Sequence, residues 1–198
     1  MNKLYFKYGA MGSSKTAQAL MCRFNYIQKG FNVLLIKPSI DNRFENGKSS
    51  VVSRIGLKAD CLKFNSETSL TTLFAQENLK APIDVIIVDE CQFLTTTQVE
   101  QLKLLSKNMP VLCYGLLTNF KTELFEGSKR LVELADSIEE IKSVCKCGSK
   151  ATINARRING KVTKEGQEVL IGAEETYESM CYWCYTKALE DAEEEQAK

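Results

Sequence analysis

The chain has 198 residues and a mass of 22.3 kDa, enough for one α/β domain with a small appendage. Apolar residues make up 44% and charged residues 26%, an ordinary globular balance, and a net charge of +1 leaves no basic field to gather nucleic acid or acidic membranes. The absence of histidine excludes a Ser–His–Asp triad, a histidine general base and a histidine metal ligand.

No apolar run approaches the roughly 20 residues that a bilayer span needs. Met1 to Tyr8 lacks the apolar stretch of a signal peptide, so a cytoplasmic location is expected.

Leu4 to Tyr8 reads as a short buried strand ending at Gly9. Gly9-Ala10-Met11-Gly12-Ser13-Ser14-Lys15-Thr16 follows, and then a helix-like run from Thr16 to Lys29 that Gly30 is placed to stop. Strand, glycine-bearing turn, Lys-Thr and helix make the context of a P-loop. There the backbone N–H groups and the helix dipole receive phosphates, Lys15 reaches the β- and γ-phosphates of ATP, and the Thr16 hydroxyl binds Mg²⁺. Ser14 stands where the standard pattern has glycine. It can hold the loop if its φ is negative, with a narrower approach for phosphate.

Val33 to Ile36 suits a strand buried on both faces, and the polar stretch from Asp41 to Ser53 reads as a mobile loop. Val85-Ile-Ile-Val88 is the clearest strand, and it ends in Asp89-Glu90. A P-loop enzyme needs a carboxylate there, so Asp89 is the Mg²⁺ candidate. Glu90 sits at the strand edge where doubly wound sheets bind ligands, and can take the proton of an attacking hydroxyl or water. Thr97 to Lys107 and Phe125 to Ala135 read as helices, with a strand from Pro110 to Gly115 between them. Alternating strands and helices predict an α/β fold of the P-loop type, a mostly parallel sheet with helices on both faces.

The pattern changes near Ser143. Cys145 and Cys147, then Cys181 and Cys184, bracket a polar, glycine-bearing segment. Four thiolates in two close pairs favour a structural Zn²⁺ in a cytosolic protein, and they leave no open position for catalysis. The predicted organisation is a nucleotide-binding domain over 1–143, a zinc domain over 144–189, and an acidic tail over 190–198.

Taken in order, Gly9 to Thr16, Asp89-Glu-Cys-Gln-Phe93 and Ile171-Gly-Ala-Glu-Glu-Thr-Tyr177 before Cys181 resemble the cytosolic-type thymidine kinase family over nearly the whole chain. The resemblance implies that Glu90 is the general base and that Lys15, Thr16, Asp89 and Gln92 serve ATP and Mg²⁺. It places Met11, Asp41, Arg43, Phe93, Leu116, Phe120 and Phe125 around the nucleoside. It also implies a lasso over Glu168, Val169, Leu170, Ile171 and Gly172, followed by Tyr177, that reads thymine through backbone groups. Thymidine is then the acceptor, with deoxyuridine a second candidate, dTTP a feedback inhibitor and a homotetramer the assembly; neither nucleic acid nor membrane is a partner. Without the resemblance, Met11, Phe93, Phe120 and Phe125 read as core or cleft residues, Tyr177 as packing, and Asp41-Asn-Arg43 as a solvated loop. Ser14, Ala173 in place of a second glycine, and the single residue between Cys145 and Cys147 depart from the family pattern. Two other readings remain at this point: a nucleic-acid-dependent ATPase, and a zinc module with a vestigial P-loop.

Overall fold

Short apolar runs separated by amphipathic stretches build one parallel sheet and a smaller unit at its C-terminal end. The computed structural model describes residues 3–41, 49–166 and 177–196. Strand β1 (Leu4–Tyr8) leads through the glycine-bearing loop into helix α1 (Lys15–Gln28) and back to β2 (Val33–Pro38). An antiparallel excursion, β3 (Ser50–Val52) and β4 (Lys58–Asp60), precedes β5 (Leu62–Phe64). Helix α2 (Leu70–Lys80), β6 (Val85–Val88), a single 3₁₀ turn at Cys91–Phe93, and α3 (Thr96–Leu105) follow. Strand β7 (Val111–Gly115), α4 (Glu126–Leu134) and β8 (Ser137–Glu140) complete the sheet.

The order across the sheet is β5-β2-β6-β7-β1-β8, with every pairing parallel. Successive residues of a strand face opposite sides, so each apolar strand feeds two cores. Leu4, Phe6, Ile86 and Val88 pack on one face against Leu70, Val99, Leu102 and Leu131 of α2, α3 and α4. Leu35, Val85, Ile87 and Leu112 pack on the other against Ala19 and Leu20 of α1. Helix α3 begins at Thr96 because Thr95 and Gln98 close a capping box, each side chain bonding the other residue's backbone N–H.

The smaller unit holds β9 (Ser143–Val144), β10 (Lys150–Ala151), β11 (Ile153–Ile158), β12 (Lys161–Thr163), β13 (Tyr177–Met180) and α5 (Tyr182–Gln196). Strands β12, β11 and β13 form an antiparallel sheet, and β9 pairs with β10. Its core is small, with Ile153, Ala155, Val162, Met180 and Tyr185 packed around Cys145 and Cys181.

The structure holds elements beyond those read from the sequence, β4, β8 and the strands of the smaller unit among them. The polar stretch expected to be loop contains strand β3, whose Val51 is 2% exposed. Strand β5 and helix α2 were not visible in the pattern; α2 turns only Leu70 fully inward, so its periodicity is faint. The acidic stretch from Glu190 forms the end of helix α5.

Candidate active site

The C-terminal ends of β1, β6 and β7 converge, and the chemistry-bearing side chains leave the sheet there. Met11, Gly12, Ser14, Lys15 and Thr16 line one cleft together with Asp89, Glu90 and Leu116 and with Asp41, Ser53 and Arg54. The sequence reading therefore brings its phosphate and carboxylate residues together, and the β3–β4 hairpin adds lining that it missed.

Ser14 is a correction. It caps α1 at φ 66, ψ 23, in the left-handed region, whereas the sequence reading required a negative φ. A non-glycine residue in that conformation costs about 1–2 kcal/mol, which the loop geometry imposes because the helix must start at Lys15. Lys15 is 9% exposed, and its Nζ donates to the carbonyls of Gly9 at 3.0 Å and Ala10 at 2.9 Å. Burial pushes its ammonium pKa down, while the carboxylates of Glu90 and Asp89 pull it back up.

Asp89 is 4% exposed and its Oδ1 lies 3.4 Å from the Thr16 hydroxyl, which donates to it. Burial, then the neighbouring Glu90 charge, pushes its carboxyl up to about 7, against the bond from Thr16. Two carboxyls side by side do not both carry full charge easily, and a bound divalent cation would relieve that conflict. Thr16 and Asp89 thus have the donor chemistry and the spacing to hold Mg²⁺.

Glu90 takes φ 51, ψ 44, a second left-handed residue without a glycine. Its carboxylate accepts at Oε2 from the Gln92 amide at 2.6 Å. Gln92 is buried, and its own carbonyl accepts from the backbone N–H of Leu116 at 3.0 Å. It stands behind Glu90 rather than on the cleft wall. Gly115 permits this arrangement: a Cβ there would lie 2.6 Å from both the Cys91 sulfur and the Gln92 Oε1.

The aromatics expected around a nucleoside form two groups. Phe93 and Phe125 meet edge to face at 5.8 Å between centroids. Phe120 is 1% exposed and lies under the guanidinium of Arg156 at 3.8 Å, and Arg156 in turn donates to the Tyr177 hydroxyl. Asp41 pairs at 3.8 Å with Lys37, which is buried. Arg43 and the stretch Glu168, Val169, Leu170, Ile171, Gly172 lie outside the described residues.

In the smaller unit the four sulfurs of Cys145, Cys147, Cys181 and Cys184 lie within 4.8 Å of one another. The Cys147 and Cys181 sulfurs are 3.6 Å apart, close to the edge of about 3.8 Å that four thiolates 2.3 Å from a tetrahedral centre would have. Hydrogen bonds from Ser149 push the Cys147 thiol down to about 6, toward the thiolate that a metal requires. The set fits a structural Zn²⁺. The single residue between Cys145 and Cys147 is accommodated by a turn in which the Gly148 N–H returns to the Cys145 carbonyl at 2.8 Å.

A family model described as thymidine kinase matches residues 2–185. The chain belongs to the thymidine kinase family. Thymidine kinases of Zymomonas mobilis and Yersinia pseudotuberculosis are 45% identical over 184 residues and 43% identical over 195. Those alignments cover 91% and 97% of this chain, and 94% and 98% of the relatives. The thymidine kinase of Rhodopirellula baltica is 40% identical across 99% of this chain and 93% of its own length. The crystal structure of Bacteroides Pif1 bound to ssDNA aligns with 71% of this chain and 38% of that one, with a TM-score of 0.35 and 13% identity, too remote a likeness to carry an argument.

This thymidine kinase family member also carries residues that the sequence reading passed over. Asn154 is 3% exposed and accepts from the Met11 N–H at 2.7 Å while donating to the Thr118 carbonyl at 3.1 Å. The Tyr185 hydroxyl donates to the Phe120 carbonyl at 3.0 Å. Both bonds dock the smaller unit onto the site. The available signal was the run Ile153-Asn-Ala-Arg156, where polar side chains alternate with apolar ones. That pattern usually marks a solvated strand face, but here both faces are buried.

Proposed function

We propose that the protein transfers the γ-phosphoryl group of ATP to the 5′-hydroxyl of thymidine, giving dTMP and ADP, and that the residues of the cleft divide the work as follows. The observation that carries this reading is the meeting of Lys15 and Thr16 with Asp89 and Glu90 in one cleft of a thymidine kinase family chain. Lys15 leaves the carbonyls of Gly9 and Ala10 for the β- and γ-phosphates, and the P-loop N–H groups at the start of α1 receive the rest of the phosphate charge. Thr16 and Asp89 would hold Mg²⁺, which would supply charge neutralisation for the transferring phosphoryl group. Glu90, oriented by Gln92, takes the proton of the 5′-hydroxyl as the O–P bond forms and the bond to ADP breaks. Met11, Asp41, Arg43, Leu116, Phe93, Phe120, Phe125 and Tyr177 surround the nucleoside, and Glu168 to Gly172 close over thymine and exclude water.

Deoxyuridine, lacking one methyl group, is a weaker acceptor. dTTP inhibits by filling the nucleoside and phosphate sites together. A homotetramer is the working assembly, supported by apolar residues exposed along α1 and just after it: Met21, Phe24, Ile27 and Phe31. The Cys145, Cys147, Cys181 and Cys184 sulfurs hold Zn²⁺ in a structural role. Among the described residues no helix is long and apolar enough to cross a membrane, which supports a cytoplasmic setting.

The test is transfer of labelled γ-phosphate from ATP to each of the four deoxynucleosides and deoxyuridine with Mg²⁺ present. Strong transfer to thymidine, weaker to deoxyuridine and none to the others is expected. ATP hydrolysis stimulated by polynucleotide, without transfer to any nucleoside, would replace the kinase by an ATPase.

A further inference from the structure

Arg156 has the largest fully buried side chain among the described residues, at 0% exposure. A buried cation normally has a carboxylate beside it, since removing an unpaired charge from water costs several kcal/mol. No ion pair joins Arg156 to any described acidic residue. Its Nε and Nη2 both donate to one hydroxyl, that of Tyr177, at 3.1 and 2.6 Å. Its Cζ lies over the Phe120 ring, 3.8 Å from the centroid, and 5.3 Å from the centroid of the Tyr177 ring. Nη1 is buried with no acceptor. It abuts Gly166, where a Cβ would stand 3.1 Å away and where φ is +103, so a larger residue would meet both crowding and strain.

A structural plug would not need this chemistry. A methionine of similar length fills the volume without desolvating a charge, and replacing buried charges by apolar groups is often neutral or stabilising. What only a guanidinium supplies is a flat plate with a fork of donors, able to stack on one ring while holding the hydroxyl of another. The two rings come from different parts of the molecule. Phe120 follows β7 in the larger domain, whereas Tyr177 opens β13 in the smaller unit.

We infer that Arg156 is a positioning residue of the acceptor pocket, which sets Phe120 and Tyr177 at a fixed separation so that a pyrimidine ring enters a preformed slot. The inference rests on the proposed placement of those two aromatics around thymine. It assigns Arg156 no contact with the reacting atoms and no part in phosphate binding. Its loss therefore falls on thymidine KM and spares the ATP side.

The experiment compares Arg156→Met, Arg156→Lys and Tyr177→Phe in the full-length enzyme, with thymidine KM, ATP KM, kcat and the thermal unfolding midpoint measured on each. Arg156→Met is expected to keep or raise the unfolding midpoint while raising thymidine KM about tenfold, with ATP KM within about twofold. Arg156→Lys keeps the charge but not the plate, and is expected to show most of the same loss. Tyr177→Phe removes the hydroxyl that Arg156 holds, so adding it to Arg156→Met should cost less than it does in the wild type. Thymidine KM within twofold of wild type in both Arg156 variants would overturn the inference, as would an equal rise in ATP KM. If Arg156→Met does not fold, Arg156→Lys and Tyr177→Phe decide by the same readouts. A wild-type enzyme inactive on thymidine would instead remove the functional reading beneath it.

Discussion

Glu90 shows how one residue's backbone can matter as much as its side chain. Its left-handed conformation costs free energy that a glycine would spare, yet glycine has no carboxylate to offer. Glu90→Gln keeps the backbone and the size of the side chain and removes the proposed base. We expect kcat to fall about 10²- to 10⁴-fold, with ATP affinity little changed in a direct binding assay. Asp89 makes a separate prediction about pH. Its native carboxyl titrates at about 7, above the ordinary 3.8, because burial and Glu90 oppose its charge. Without divalent cation the native state therefore holds a proton that the unfolded chain has already lost. The resulting stability is fully present below about pH 3.8 and disappears as the pH rises through 7. Unfolding midpoints of the metal-free protein should thus decline across pH 6–8 relative to Asp89→Asn. Added Mg²⁺ should bind less tightly at pH 6 than at pH 8, since Asp89 must release its proton first.

Among the elements, those that position the site were the easiest to read. Strands β1, β6 and β7 are runs of apolar side chains with no competing pattern, and α1 is bounded by Lys15 and Gly30. Asp89, Glu90, Lys15 and Thr16 sit at the ends of such elements, so their convergence followed from the topology. The β3–β4 hairpin was hidden because three-residue strands carry too few positions to show alternation. Asn154 and Arg156 were hidden for another reason: their neighbours, Met11 and Thr118 for Asn154 and Phe120 and Tyr177 for Arg156, lie too far along the chain for any local window to contain. The conformation of Ser14 likewise follows from the loop closing on α1, not from its residue type. Gly115 supplies the test at this scale. An alanine there would force its Cβ against Cys91 and Gln92, and crowding of that kind costs about 1–3 kcal/mol. Gly115→Ala should lower the unfolding midpoint and also kcat, because the displaced Gln92 no longer orients Glu90.

The whole molecule is unevenly supported. The parallel sheet is packed on both faces, whereas the smaller unit has a short list of buried residues, two of them cysteines. A core that small needs a staple, and four convergent sulfurs would provide one on binding the proposed Zn²⁺. Removal of metal by a chelator should therefore raise amide hydrogen exchange in β11, β13 and α5 while β1, β6 and β7 stay protected. Equal deprotection of both regions would show that the metal stabilises the fold as a whole.

The hydrogen bond from the Met11 N–H to Asn154 spans 143 residues. During synthesis the P-loop leaves the ribosome before its partner, which emerges 143 residues later. Strand β1 is thus made well before β11, and the loop that β1 carries waits for β11 to be set in place. A nascent chain truncated before β11 would have its Lys15 and Thr16 but not the clamp on their loop, so competence to hold nucleotide would wait until β11 had emerged.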